Sequence, residues 1–308
     1  KIHSVIFLFN NNQIQEALDD VKTLINDYPN SAILYNIRAS CCKAIGQLDT
    51  AVKDYKKALA LKPDYAEAQY NLGITLRELG QIEAAIKSYK QALTIKPDYF
   101  GAHNNLGNIF LELGQPDNAV DHFEWAVAYQ PNFAEAHNNL GNTLLTMGRL
   151  DDAVKSYEKT LTLKPDYPEA HNNLGIAFQK LGQLDAAVKS FEEALTIKPD
   201  YDKAHSNLGN VLKELGQLNA AVKSFKKALT INPNYAEAHS NLGNVLKELV
   251  QMDDAVKSYK KALAINPNYA EAHNNLGAIF KELGQLDDAV KSYKKALAIN
   301  SDYVVAQN

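Results

Sequence analysis

The sequence predicts an all-α solenoid assembled from short helix-turn-helix units, and three observations predict it. Proline recurs at 29, 63, 97, 131, 165, 199, 233 and 267, always 34 residues after the last, and Ser301 takes the next place. The stretch AHNNLGN at 102–108 returns in close copies at 136, 170, 204, 238 and 272. Between these landmarks, apolar and small residues follow the three-and-four spacing of an amphipathic helix. A chain that repeats on a fixed period is read as an array before any independent domain is counted.

The repeat frame gives one array over 1–308: a partial unit at 1–31, then complete units at 32–65, 66–99, 100–133, 134–167, 168–201, 202–235, 236–269 and 270–303, and a stub at 304–308. In the last complete unit, Ala272, Leu276, Gly277, Phe280 and Leu283 line one face of a first helix, A. Gly284 ends it, because glycine tolerates the left-handed conformation that closes a helix. Leu286, Ala289, Val290, Tyr293, Ala296 and Leu297 then line one face of a second helix, B. In the other units a proline follows helix B and stops it, having no N–H for the next turn. Val250 stands where the other units place glycine in the A–B turn. A β-branched residue resists positive φ, so that turn is expected to relax away from the glycine geometry.

These landmarks resemble the tetratricopeptide repeat family, whose unit carries Leu-Gly in helix A, Ala, an aromatic and Ala in helix B, and a closing Pro. In the unit 66–99 the matching residues are Leu72, Gly73, Ala85, Tyr89, Ala92 and Pro97. The resemblance implies a right-handed superhelical solenoid whose A helices make an inner, concave face. Gly73 and Ala92 are expected to be small so that helices A and B approach closely, with Tyr89 filling the space where neighbouring units meet. Each unit alone buries too little, so stability is expected from stacking.

Composition excludes several functions. With 46% hydrophobic and 22% charged residues the chain is able to bury a long core, which argues against disorder. A net charge of −4 supplies no broad positive field for phosphate backbones, so nucleic acid is not an expected partner. Cys41 and Cys42 are neighbours that point apart on one helix, so they are read as small core residues, not a bridge or a metal site. No apolar run reaches membrane-spanning length and there is no glycosylation sequon, which predicts a soluble chain with no membrane partner and favours the cytoplasm over export. The family often places Trp at the fourth position of the unit, whereas here stand His103, His137, His171, His205, His239 and His273. Equivalent helices lie at least about 8 Å apart, too far for shared ligands at about 2 Å, so these rings are expected to pack between helices and no metal or other cofactor is expected.

The asparagines are the candidate site. A sixth-place column on helix A runs through Asn71, Asn105, Asn139, Asn173, Asn207, Asn241 and Asn275. Beside it lies a fifth-place column of Asn36, Tyr70, Asn104, Asn138, Asn172, Ser206, Ser240 and Asn274, and one turn on stand Asn108, Asn142, Asn210 and Asn244. If Leu106 and Gly107 face helix B, Asn104, Asn105 and Asn108 face the groove. Asparagine is a mediocre helix former, so its repeated use on one face needs a reason beyond propensity. Its carboxamide has the donor and acceptor of a peptide bond, and a ladder of them can hold an extended peptide by its backbone. The ladder is similar to the inner surface of the tetratricopeptide region of O-linked N-acetylglucosamine transferases, where the resemblance implies peptide holding. Amide bonds to neighbouring helices, or simple duplication of one unit, would give the same columns. The family's clamp for a partner's terminal carboxylates needs Lys at the fifth place, which this chain lacks; only Lys203 stands at the second.

Tyr70, Ile74, Leu111, Leu145 and Ile176 interrupt the polar face and are candidate pockets for ligand side chains, or packing residues between A helices. The unit 100–133 departs most, with Phe100, Gly101, Pro116, His122, Trp125 and Tyr129 off the pattern. Trp125 sits in a column otherwise held by Lys57, Gln91, Lys159, Glu193, Lys227, Lys261 and Lys295, as a candidate interface anchor or a residue packed on the neighbouring helix.

No phosphate loop, zinc-protease helix, calcium loop or nucleophile elbow is present, and every polar cluster recurs with the unit. The chain is therefore expected to be a non-catalytic scaffold that binds a protein segment. Two alternatives are the recognition region of a larger glycosyl-, sulfo- or methyltransferase, which family resemblance suggests, and a homo-oligomer stacked end to end. The latter follows from a chain that starts within a helix A and stops at VVAQN, the start of another, without polar caps.

Overall fold

The computed structural model describes residues 1–300, which form eighteen helices and no strand. The stub expected at 304–308, with its start of a further helix, and the Ser301 landmark lie outside the described residues. The helices pack as two compact units, Lys1–Met147 and a second from Gly148 onward. The boundary falls in the turn of the repeat 134–167, so its two helices belong to different units.

In the first unit α1 (Ile2–Asn10), α3 (Ala32–Ala44), α5 (Ala66–Glu78), α7 (Phe100–Glu112) and α9 (Ala134–Thr146) are A helices. They alternate with the B helices α2 (Ile14–Asp27), α4 (Leu48–Leu61), α6 (Ile82–Ile95) and α8 (Pro116–Tyr129). The second unit has B helices α10 (Leu150–Leu163), α12 (Leu184–Ile197), α14 (Leu218–Ile231), α16 (Met252–Ile265) and α18 (Leu286–Ile299). Its A helices are α11 (Pro168–Lys180), α13 (Asp202–Glu214), α15 (Ala236–Glu248) and α17 (Ala270–Glu282). Successive A helices of the second unit touch, while grooves open between its B helices. No described helix is long and apolar enough to cross a membrane.

The Gly216 turn shows why A and B meet at a fixed angle. Gly216 has φ 72°, its N–H bonds the Lys213 carbonyl at 2.9 Å, and the Gln217 N–H reaches the Leu212 carbonyl at 2.8 Å. This pair of bonds closes the last carbonyls of helix A. Val250 departs from expectation: it holds φ 60°, with the same two bonds to Lys247 and Leu246 at 2.9 and 2.8 Å. The turn does not relax, because opening it would orphan both carbonyls, and the valine side chain, 75% exposed, meets no neighbour that forces it out.

The core is a column of alanines and aromatics. Ala221, Phe225 and Ala228 are fully buried on α14, and a buried Phe contributes about 2 kcal/mol. Tyr89 reaches the next unit, where Asn105 donates to its hydroxyl at 3.4 Å, and it also sets the size of its own unit's glycine. A β-carbon on Gly73 would lie 2.7 Å from the Tyr89 ring of its own unit, so the glycine is small to admit that ring, not to bring two backbones together. Cys41 and Cys42 are buried free thiols, as the sequence suggests, and burial, with Cys42 beside it, pushes the Cys41 thiol up to about 11.

The candidate peptide-binding face and its asparagine ladder

The A helices present the sixth-place asparagines half-buried. In the second unit Asn241 donates to Asn210 Oδ1 at 3.0 Å, and Asn275 donates to Asn244 Oδ1 at 2.9 Å. In the first, Asn139 donates to Asn104 and Asn108 at 3.2 and 3.3 Å. These rungs tie successive A helices together, as the alternative reading of the ladder anticipated. They also fix the amides' orientation. With the sixth-place N–H and the ninth-place C=O engaged, Oδ1 of Asn241 and Nδ2 of Asn210 and Asn244 keep no protein partner among the described residues. The Asn241–Asn210 rung therefore offers a ligand one acceptor and one donor, while the Asn275–Asn244 rung offers the Asn244 donor, Asn275 Oδ1 already accepting from Asn274.

The apolar interruptions have a structural logic. Ile74 and Ile176 stand at the ninth place and remove the acceptor for the next rung. Asn105 turns instead to the Tyr70 and Tyr89 hydroxyls, both at 3.4 Å, and Asn207 turns to Asn172 Oδ1 at 2.9 Å. Both isoleucines pack against their unit's core. Tyr70 is no open pocket either: its ring lies 4.6 Å from that of Tyr99, and its hydroxyl stands 3.0 Å from where a β-carbon on Gly101 would be. That contact explains the off-pattern glycine. Leu111, half-buried, takes the place where Arg77 pairs with Glu112 and Lys213 with Glu248 at 3.1 Å, so it replaces a charged tie between A helices; Leu145, also half-buried, holds the same place in its repeat.

One column is corrected. Asn104, Asn138, Asn172 and Asn274, expected on the groove surface, are only 3–7% exposed. Contact between successive A helices encloses the fifth place. Asn104 donates to Glu135 at 3.3 Å, Asn172 to Asn173 at 3.1 Å and Asn274 to Asn275 at 3.4 Å. The Oδ1 atoms of Asn138 and Asn274 are buried without a partner. Asn71 and Asn142 are half-buried, and their backbone carbonyls accept the hydroxyls of Thr75 and Thr146.

The histidine column lies on the opposite side of the A helices, facing helix B. Each imidazole bonds the carbonyl of the proline six residues earlier, as His239 does to Pro233 at 3.0 Å and His171 to Pro165 at 2.9 Å. Neutral His Nε2–H donates there, so the ring fastens the loop that closes helix B. Among the described residues no group of three or more metal-ligating side chains converges. Trp125 is 52% exposed, stacked on Tyr129 at 5.6 Å and on His103 at 6.3 Å.

Sequence reasoning passed over Arg38 and Asp54. Arg38 Nε donates to Asp54 Oδ2 at 2.6 Å, with the carboxylate side chain 7% exposed. The signal was present, since Arg38 falls in a column otherwise held by Leu72 and its equivalents, and Asp54 in one otherwise held by Ser88, His122 and serines.

Comparison with known proteins agrees with this architecture. A family model described as TPR repeat matches residues 42–76, 75–114, 107–148, 141–182, 209–250 and 251–284, and one described as tetratricopeptide repeat matches 168–201 and 270–303. The chain is similar to crystalline MamA, at 28% identity and TM-score 0.50 over 53% of this chain and 95% of that one. It is similar in fold to the APC/C hetero-tetramer Cut9-Hcn1, at 18% identity and TM-score 0.61 over 96% of this chain and 58% of that one. A stretch of 70 residues is 31% identical to the peroxisomal targeting signal receptor of Candida albicans, covering 23% of this chain and 12% of that protein's length.

Proposed function

The chain belongs to the tetratricopeptide repeat family, and from that premise we propose that its A-helix face holds an extended segment of a partner protein through the asparagine rungs. Arrays of this family are protein–protein interaction scaffolds and generally non-catalytic. The observation that carries the finer reading is the pair of rungs Asn241–Asn210 and Asn275–Asn244, each locked by one hydrogen bond and each leaving polar capacity for a ligand. A peptide backbone alternates N–H and C=O, so it is met by that capacity whatever its side chains. Preorganised amides lose little freedom on binding, which favours affinity.

The direct test screens a peptide library against the whole chain and against a variant with Asn210, Asn241, Asn244 and Asn275 changed to Ala. Peptides enriched by the parent and lost by the variant, at unchanged helicity, support the reading. An unchanged set of peptides would reduce the ladder to a tie between helices.

A further inference from the structure

Grooves open on the outer face of the second unit, between consecutive B helices, and two of them repeat the same lining. Between α14 and α16 a cavity of about 740 Å³ is walled by Lys226 on one side and Lys257 and Lys261 on the other, above His239 and Ser258. Between α16 and α18 the same places hold Lys260, Lys291, Lys295, His273 and Ser292, around about 450 Å³. Lys257 is paired with Asp254 at 2.9 Å, while Lys226 and Lys261 enter no ion pair among the described residues. Asp254 lines the same groove and also acts on Lys226, but one carboxylate faces three lysines, so the first groove stays net cationic. So does the second, where Asp288 stands among Lys260, Lys291 and Lys295.

The floor adds a second requirement. His239 and His273 are each 6% exposed, and each commits Nε2–H to its proline carbonyl at 3.0 Å. In the neutral ring Nδ1 is then an acceptor, and no protein group bonds it in either residue. Its direction is fixed by the first unit, where His122 stands in the place of Ser258 and meets His103 Nδ1 at 3.0 Å. In the second unit that place is serine, and Ser258 spends its hydroxyl on the Asp254 carbonyl at 2.9 Å. The nitrogen is left aimed into the groove.

We propose that this outer face is a second docking surface, for an extended acidic segment of a partner protein, with carboxylates between the lysines and backbone N–H groups donated to Nδ1 of His239 and His273. An acidic peptide satisfies both demands. A phosphate backbone offers acceptors only and leaves the buried nitrogens without a donor. Packed helices repeat at roughly 10 Å and an extended chain advances about 3.3 Å per residue, so acidic residues about every third position match successive grooves. The surface is independent of the asparagine rungs, which lie on the A helices.

The test measures fluorescence anisotropy of a labelled peptide with Glu at every third position and Gly and Ser between, against the whole chain. The Gln counterpart of that peptide and the variants K226E/K261E and K226Q/K261Q are run beside it. The Glu peptide is expected to bind, the Gln form and the charge-reversed variant to bind roughly tenfold more weakly or worse, and K226Q/K261Q to fall between. The ¹⁵N resonance of His239 Nδ1 is expected to move on saturation, and the quadruple asparagine variant to bind as the parent does. Failure of the Glu peptide to bind, equal binding of its Gln form, unchanged affinity in both lysine variants at intact helicity, or tighter binding of a single-stranded oligonucleotide of equal charge overturns the proposal.

Discussion

His103 and His122 meet through their Nδ1 atoms, 3.0 Å apart, at a place where the five later complete units carry Ser156, Ser190, Ser224, Ser258 and Ser292. His103 gives its Nε2–H to the Pro97 carbonyl at 3.1 Å, so its Nδ1 accepts and His122 Nδ1–H donates. The bond needs the accepting ring, His103, to be neutral, and a proton on either ring would place charge in this buried pair. Burial first, then His103 and Lys90, hold His122 down to about 4 against the opposing pull of Asp121. Burial also lowers His103, against the Pro97 bond. Unfolded histidines bind protons from about pH 6.5 downward while the folded pair resists, so stability present at neutral pH is lost as pH falls from about 6.5 toward 4. Discounted for partial exposure, the loss is about 2 kcal/mol. Urea midpoints at pH 7.5 and 4.5 should fall further for the parent than for His122→Ser; equal falls would remove the histidine pair as the cause.

Arg38 and Asp54 replace a leucine and a serine of the pattern by a part-buried ion pair. Removing one partner strands the other, so Asp54→Ser is expected to cost about 3 kcal/mol. The double variant R38L/D54S returns both places to the repeat pattern and is expected to be as stable as the parent or more so. Thermal midpoints of the three proteins decide it. A double variant no better than the single one would mean that the unit 32–65 has repacked around the pair.

Gly243 faces the Tyr259 ring, 2.8 Å from where a β-carbon would stand. Tyr259 is fully buried and its hydroxyl is fixed on Asn244 Oδ1 at 2.5 Å, so the ring has no simple retreat. Gly243→Ala is expected to destabilise by about 2 kcal/mol, the overpacking strain exceeding the better helix propensity of alanine. A midpoint at or above the parent's would show that the ring yields.

The repeat made most of the fold legible, because proline, glycine and the three-and-four spacing mark helix ends and faces locally. The site was legible only in part. Facing direction placed Asn105 and Asn108 on the open side, but burial at the fifth place depends on how near the next A helix comes, which no single helix encodes. That is why Asn104 and Asn138 were misplaced. Pairs of departures carried more information than single ones: Tyr70 with Gly101, His122 with Trp125, and Arg38 with Asp54 each break the pattern together because they touch or stack through a shared neighbour.

Val250 holds φ 60° where the equivalent glycines hold 69–78°. A β-branched residue in that region carries roughly 1–2 kcal/mol of strain that glycine avoids. Glycine gains unfolded-state freedom in exchange, an opposing effect of about 0.5–1 kcal/mol. Val250→Gly is therefore expected to stabilise the second unit by roughly 0.5–1 kcal/mol, since the exposed side chain gives up almost no packing. Val250→Asn should recover part of the gain, because asparagine tolerates the left-handed region, as Asn12 does at φ 62° in the corresponding turn of the first unit. Urea unfolding of the three proteins checks the order Gly above Asn above Val. Because Val250 touches neither the asparagine rungs nor the lysine grooves, peptide binding should be the same in all three, and a change in binding would place the turn in the recognition surface after all.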